Sequence, residues 1–228
     1  METPIEIAAL YIASYIVGAI PTAYIIGKLV RGVDLRGVGS GNIGGANVFE
    51  HVGKRWVVPL TVFDAFVKGA APVWAGLFIL DLDRSSVLLI GAPLLAIAGN
   101  NWSPFLRLQG GRGITITGGA LLALSPVLMV AVGVVAIGGW LITKSSGLWV
   151  LISLALLPLW AYLVHGYLSL VWYCLALLGI IVLKRLSSNW SPFPQGISGR
   201  KVLFNRLLRD RDVADRNQWV TRAPGTTP

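Results

Sequence analysis

The chain has 228 residues, of which 55% are hydrophobic and only 13% charged, and its net charge is +9. Soluble domains contain about 25% charged residues, so the composition excludes an ordinary soluble domain and predicts an integral membrane protein. One cysteine and two histidines exclude a disulfide framework and disfavour a closed zinc site. The excess of Lys and Arg is typical of cytoplasmic loops rather than of a nucleic-acid surface, and we expect neither a metal nor a nucleic-acid partner.

Apolar runs follow one another along most of the chain and predict an all-α membrane fold. Near the length that spans a bilayer, they cover residues 5–30, 56–80, 87–98, 114–143, 147–164 and 167–183. The first run lacks a basic leader and a clear cleavage site, so we expect a retained helix. We divide the chain into a transmembrane domain, residues 1–185, and a basic cytoplasmic C-terminal tail, residues 186–228.

The distribution of charge predicts the orientation in the membrane. Loops 31–55 and 106–113 and the tail are basic, whereas loop 81–86 is net acidic. By the positive-inside rule, the basic segments are cytoplasmic and the N-terminus is outside. The run 114–143 is about 45 Å long as a continuous helix, and dividing it at Pro126 gives an even number of crossings before the tail. We therefore expect about seven helices, several of them short; five helices with one re-entrant segment is the alternative.

The segment "GVGSGNIGGANV", residues 37–48, contains a G-x-G-x-x-G pattern. A dinucleotide-binding loop would follow a strand, whereas this one follows an apolar span, so we exclude that interpretation. Glycines interleaved with small polar residues instead place several backbone amides around one phosphate. The residues of this expected phosphate loop are Gly39, Ser40, Gly41, Asn42, Gly44 and Asn47.

A second glycine cluster, "LQGGRGIT", precedes another apolar run. Gly110, Gly111 and Gly113 flank Arg112, where a helix is predicted to begin. Helix N-termini attract anions, and arginine binds phosphate in a bidentate manner. Two such loops on one side of the membrane predict one substrate that carries phosphate, or two.

Asp64 and Lys68 lie four residues apart inside the second apolar run. Ionisable residues within a span are costly and are usually paired or functional. Two interpretations remain open, a helical salt bridge that satisfies itself and a direct role in a site. The pentapeptide "NWSPF" occurs at 101–105 and again at 189–193, and we interpret both copies as turns at the membrane boundary.

Three segments together, "GAIPTAYIIGKLVRGVDLRGVGSGNIGGANVFEHVGK", "VFDAFVKG" and "GNNWSPFLRLQGGRG", resemble the bacterial acylphosphate-dependent glycerol-3-phosphate acyltransferases. The resemblance covers roughly residues 10–125. It implies a seven-helix enzyme of the bacterial inner membrane whose site faces the cytoplasm. Its expected reaction transfers an acyl group from acyl phosphate to the 1-hydroxyl of glycerol-3-phosphate, yielding lysophosphatidate and phosphate without a cofactor.

The resemblance also implies roles for individual residues. Catalytic roles fall to Ser40, Asn42 and Arg112. Asp64 and Asn100 are supporting residues. Contacts to substrate or phosphate are expected from Gly39, Gly41, Gly44, Asn47, Lys54, Lys68, Gly110, Gly111, Gly113 and Arg185.

Four positions depart from the family pattern: Ala46 replaces a threonine, Glu50 an arginine, Asn100 a histidine, and Arg185 the histidine of a third motif. A carboxylate such as Glu50 beside a phosphate opposes binding. The alternative hypothesis is therefore a divergent paralogue that binds a phosphorylated lipid or uses another acceptor, with weak or no acyltransferase activity.

Overall fold

The computed structural model describes residues 3–39 and 41–215. These residues form helices but no β-strands. Within these two ranges there are eleven α-helices and three single turns of 3₁₀-helix. Their bounds are α1 Pro4–Ala19, α2 Thr22–Arg31, α3 Gly45–His51, α4 Val57–Val62, α5 Ala71–Phe78, α6 Val87–Asn101, α7 Ile114–Leu124, α8 Pro126–Thr143, α9 Ser146–His165, α10 Leu168–Ser187 and α11 Gly199–Arg209.

Five helical stretches in the described residues are long and apolar enough to cross a membrane. They are Pro4–Arg31, Lys54–Phe78, Pro126–Thr143, Ser146–His165 and Leu168–Trp190, and two shorter apolar helices, α6 and α7, accompany them. The helices have few charged residues and apolar surfaces that stay exposed, as expected where lipid replaces water. The number of crossings and the orientation stay predictions.

Two prolines interrupt helical runs. Pro126 begins α8, and Ser125 caps that helix by accepting from the Leu128 amide, so the division of 114–143 expected at this proline is present. Pro21 separates α1 from α2, where a single continuous helix over 5–30 was expected. The prolyl ring has no N–H to donate, and it restricts the residue before it. The Ser103 hydroxyl donates to the buried Ala19 carbonyl oxygen at 2.6 Å, which satisfies the end of α1.

A π-helical segment, Phe63–Ala70, connects α4 to α5. Such segments are rare, and they recur at functional sites because they turn side chains away from the regular helical direction. Gly69 lets this segment approach α7 closely, since a Cβ there would lie 2.4 Å from the Ile116 carbonyl oxygen. The apolar core around these helices includes Ala70, Ile97 and Ala120.

The loops gather at two ends of the helix bundle. At one end, Arg84 donates to the carbonyl oxygens of Ala123 and Leu124, and the Ser125 hydroxyl lies 2.7 Å from His165 Nε2. At the other end, both glycine loops and the start of the tail meet. This separation matches the expected alternation of acidic and basic loops.

The tail contains a packed helix. Helix α11 lies against α9 and α10, and Arg185 donates from the end of α10 to the Leu207 carbonyl oxygen at 2.8 Å. Helix α11 is therefore in contact with the apolar helices α9 and α10, and the division of the chain at residue 185 stays a prediction. The expected tail continues beyond the described residues.

Candidate functional site

A small pocket lies where the break between α1 and α2 faces the π-helical segment. The end of α6 and both glycine loops complete its wall. The polar lining residues are Thr22, Asp64, Lys68, Asn100 and Ser103. Apolar side chains and glycine backbone supply the rest of the lining: Ala19, Ile20, Pro21, Ala23, Ile43, Leu106, Gly110 and Gly111.

Asp64 and Lys68 form an ion pair in the wall of this pocket. Lys68 Nζ lies 2.7 Å from Asp64 Oδ1, and the lysine side chain is 1% exposed. Lys68 is the cationic member of the described lining. The expected helical ion pair is present, and both side chains also line the pocket; a direct role in a site stays a prediction.

Asn47 organises the first glycine loop. Its side-chain amide nitrogen lies within 3.1 Å of the carbonyl oxygens of Leu35, Val38 and Asn42. Gly39 adopts φ +52, and a Cβ there would lie 2.5 Å from Asn47 Oδ1, so this position requires glycine. The side-chain nitrogen of Asn47 thus holds the loop, and the expected contact of Asn47 with phosphate stays a prediction.

An ion pair holds the start of the same loop. Arg36 Nη2 lies 2.7 Å from Asp34 Oδ2, and the Arg36 guanidinium lies over the Tyr24 ring at 5.2 Å. The hydrogen bond from Arg36 lowers the pKa of the Asp34 carboxyl. The Arg36 side chain therefore stabilises the start of the loop.

The other residues expected in the first phosphate loop make different contacts from one another. The Asn42 carbonyl oxygen accepts from the Gly44 amide at 3.1 Å, and Gly44 precedes α3. The Gly41 carbonyl oxygen accepts from the Asn189 side chain at 3.4 Å. Ser40, expected to be catalytic, lies outside the described residues.

The second glycine loop contributes backbone to the pocket. The Gly111 amide donates to the Asn100 carbonyl oxygen at 3.0 Å. A Cβ on Gly110 would lie 2.0 Å from that same oxygen, so glycine is required for this close approach. Gly113 adopts φ +72 and precedes α7. Asn100, expected as a supporting residue, lies in the pocket wall.

Arg112 and Arg185 are buried, but neither lines the pocket. Arg112 donates to the Lys184 carbonyl oxygen at 3.0 Å, and its Nε lies 2.8 Å from Asp210 Oδ1. Arg185 donates to the carbonyl oxygens of Gly147 and Leu207, both at 2.8 Å. Both arginines join the site region to the tail.

Lys54 and Glu50 lie outside the pocket. Lys54 is exposed, and its ammonium lies 5.3 Å from the centre of the Phe49 ring. Glu50 is also exposed, and neither side chain is part of the lining. The carboxylate of Glu50 is thus not among the groups that line this pocket.

Sequence reasoning missed Asn189, which bridges the two glycine loops. Its side-chain nitrogen lies within 3.4 Å of the Gly41 and Gly110 carbonyl oxygens, and its Oδ1 accepts from the Gly110 amide at 3.0 Å. Lys184 donates to the same oxygen at 2.6 Å and to the Asn101 carbonyl oxygen. The repeated "NWSPF" was the available signal, because Asn101 and Asn189 begin its two copies.

The described residues contain no group of three or more His, Cys, Asp and Glu side chains suited to a metal. No residue is therefore assigned to metal binding. The polar groups that line the pocket are one buried cation, one carboxylate, neutral amide and hydroxyl groups, and glycine backbone.

Comparisons with known proteins agree with this architecture. A family model described as glycerol-3-phosphate acyltransferase matches residues 8–193. Glycerol-3-phosphate acyltransferase 5 of Dehalococcoides mccartyi is 35% identical over 218 residues, which cover 92% of this chain and 91% of that protein. Glycerol-3-phosphate acyltransferase of Desulforudis audaxviator is 37% identical over 69% of this chain and 82% of its own length.

A solved structure has the same fold. It is PlsY (YgiH), described as an integral membrane glycerol 3-phosphate acyltransferase, in its glycerol 3-phosphate form. The TM-score is 0.76 at 25% identity, and the match covers 91% of this chain and 94% of the other. The all-α membrane fold and the family resemblance expected from the sequence are confirmed. The chain therefore belongs to the glycerol-3-phosphate acyltransferase family and is an integral membrane acyltransferase.

Proposed function

We propose that this protein transfers a fatty acyl group from acyl phosphate to the 1-hydroxyl of glycerol-3-phosphate. The hydroxyl oxygen bonds to the acyl carbon, and the bond from that carbon to the phosphate oxygen breaks. The hydroxyl proton leaves with the phosphate or passes to water. The products are lysophosphatidate and inorganic phosphate, and the activated donor makes a further cofactor unnecessary.

The observation that carries this proposal is the buried Lys68 in a pocket lined by the backbone of Gly110 and Gly111. Lys68 offers a phosphate a charged hydrogen-bond donor, although the Asp64 carboxylate at 2.7 Å offsets its charge. The side chains of Thr22 and Asn100 in the lining supply neutral polar contacts. Relatives named glycerol-3-phosphate acyltransferases, and a PlsY structure in its glycerol 3-phosphate form, support this ligand for the pocket.

Positioning accounts for most of the proposed catalysis. Acyl phosphate is already reactive, so holding the acceptor hydroxyl near the acyl carbon and stabilising developing charge supply much of the rate. Ser40, Asn42 and Arg112 remain the proposed catalytic group. Arg112 would reach a phosphate only by leaving Asp210.

The location of the reaction is also a proposal. The basic loops and tail gather at the end of the bundle that contains the pocket, which supports a site on the cytoplasmic side of a bacterial inner membrane. The acyl chain would remain among the lipids beside the exposed apolar faces of the helices. We retain the division into a transmembrane domain, residues 1–185, and a basic tail, residues 186–228.

An assay of purified protein in detergent tests the proposal. Acyl phosphate and glycerol-3-phosphate together are expected to release inorganic phosphate and form lysophosphatidate, identified by mass spectrometry. Omission of glycerol-3-phosphate should stop both. Binding of lysophosphatidate with no acyl transfer would instead favour the divergent paralogue that binds a phosphorylated lipid.

A further inference from the structure

The loop before α7 and the last turns of α10 bring a buried group of cations together. Lys184 is 0% exposed, Arg185 2% and Arg112 7%. One carboxylate contacts two of them: Asp210 Oδ1 lies 2.8 Å from Arg112 Nε and 4.0 Å from Arg185 Nε. We call Arg112, Lys184 and Arg185 the cation cluster.

The cation cluster carries more positive charge than Asp210 neutralises. Its other contacts are neutral: Lys184 donates to the Asn101 carbonyl oxygen and the Asn189 amide oxygen, and Arg185 donates to two backbone carbonyls. Buried charge is costly unless it is paired. A phosphate, with about −1.5 to −2 charges near pH 7, would match the surplus better than one carboxylate does.

The cluster lies directly behind the wall of the pocket. Arg112 follows Gly110 and Gly111, whose backbone lines the pocket. Lys184 contacts the carbonyl oxygen of Asn101, the residue after the lining residue Asn100. An anion that replaced Asp210 would therefore be held next to both glycine loops.

Asp210 stands at the solvent side of the cluster and belongs to the tail. Its side chain is 24% exposed, whereas the cations that it contacts are at most 7% exposed. It follows the last residue of α11 and adopts φ +57. Helix α11 is held separately by Arg206, which pairs with Asp212 at 2.5 Å and donates to the Ser191 carbonyl oxygen at 2.8 Å.

We propose that Asp210 is a built-in counter-ion that occupies an anion site formed by Arg112, Lys184 and Arg185, and that a substrate phosphate competes with it. The tail then restrains the enzyme, because phosphate binds only as the Asp210 carboxylate leaves. This inference rests on the proposed function, in which Arg112 contributes to phosphate binding. It adds the competitor and assigns it to the tail.

Phosphate binding to the purified full-length chain tests this inference, with inorganic phosphate as the probe in calorimetric titrations. Asp210→Asn keeps the shape of the side chain and removes its charge. It is expected to bind phosphate at least about 5-fold more tightly than the wild type, since the competing carboxylate is gone. Asp81→Asn is the matched control, because Asp81 also has positive φ, +50, and lies in the loop at the other end of the bundle.

Unchanged or weaker phosphate binding by folded Asp210→Asn would overturn the inference. Adding Arg112→Gln to Asp210→Asn should abolish the gain, and a gain that persists would also contradict it. If Asp210→Asn does not fold, hydrogen exchange of the wild type, measured with and without phosphate, tests the inference instead. Phosphate should accelerate exchange in the last turn of α11, and no acceleration would refute competition.

The two proposals fail in different ways. Tighter phosphate binding by Asp210→Asn in a protein without acyl transfer would refute the proposed function and leave the counter-ion in place. Normal acyl transfer, with the same phosphate affinity in Asp210→Asn and wild type, would refute the counter-ion alone.

Discussion

Lys68 Nζ lies 2.7 Å from Asp64 Oδ1 within a π-helical segment, and both side chains line the pocket. The pair explains how a lysine that is 1% exposed stays compatible with an apolar surrounding. A buried charge is tolerated when an opposite charge and good geometry accompany it. Lys68 is thereby a fixed cation at the place where we propose that phosphate binds.

Lys68→Met removes this cation and keeps a side chain of similar length. We expect the KM for glycerol-3-phosphate to rise by about 10-fold or more, because a hydrogen bond to a charged group contributes about 1.5–3 kcal/mol. Steady-state kinetics measures the change. Lys144→Met, at an exposed lysine after α8, should leave KM unaltered; equal KM values for wild type and Lys68→Met would argue against a phosphate contact.

Asp64→Asn leaves the Lys68 charge buried without its carboxylate. Breaking one side of a buried pair costs about 3–5 kcal/mol, so a marked fall in the thermal unfolding midpoint in detergent is expected. Combining Asp64→Asn with Lys68→Met removes the unpaired charge. The double variant should therefore regain most of the lost thermal stability. A double variant as unstable as Asp64→Asn would mean that loss of the ion pair does not cause the lower unfolding midpoint.

Gly110→Ala places a methyl group 2.0 Å from the Asn100 carbonyl oxygen, which forces the second glycine loop away from α6. We expect loss of most activity and a lower unfolding midpoint. Gly118→Ala is the control, since a Cβ there meets nothing within 4 Å and alanine favours a helix by about 1 kcal/mol. Similar behaviour of the two variants would contradict the close packing of Gly110.

Cysteine labelling tests the predicted orientation. In a Cys174→Ala background, Ser85→Cys and Lys201→Cys place thiols at exposed positions of the two ends. A membrane-impermeant maleimide is expected to label Ser85→Cys in intact cells and Lys201→Cys only after permeabilisation. The reverse pattern would invert the topology, and labelling of both in intact cells would contradict the separation of the two ends.

Local sequence signals predicted the features that depend on neighbouring residues. Hydropathy identified the spans, and Ser125-Pro126 marked the break before α8 because proline cannot donate a backbone hydrogen bond there. Asp64 and Lys68 at i and i+4 indicated a pair. The same reasoning overlooked the break at Pro21, since the surrounding run is apolar throughout and averaging over a span hides it.

Other features depend on contacts between distant parts of the chain. The π-helical segment has no established sequence pattern, and Asn189 reaches Gly41 and Gly110 only after α10 has packed. Arg112 was predicted from its glycine flanks, yet its direction is set by Asp210, far along the chain. Residue type and local spacing therefore predicted segments that line the pocket, but not which of their side chains line it.

Product formation by the purified protein tests the central claim most directly. With acyl phosphate and glycerol-3-phosphate, we predict equal molar amounts of inorganic phosphate and of lysophosphatidate acylated at the 1-hydroxyl, with both rates reduced together in Lys68→Met. Phosphate release without the acylated product, or a product rate that Lys68→Met leaves unchanged, would contradict the account.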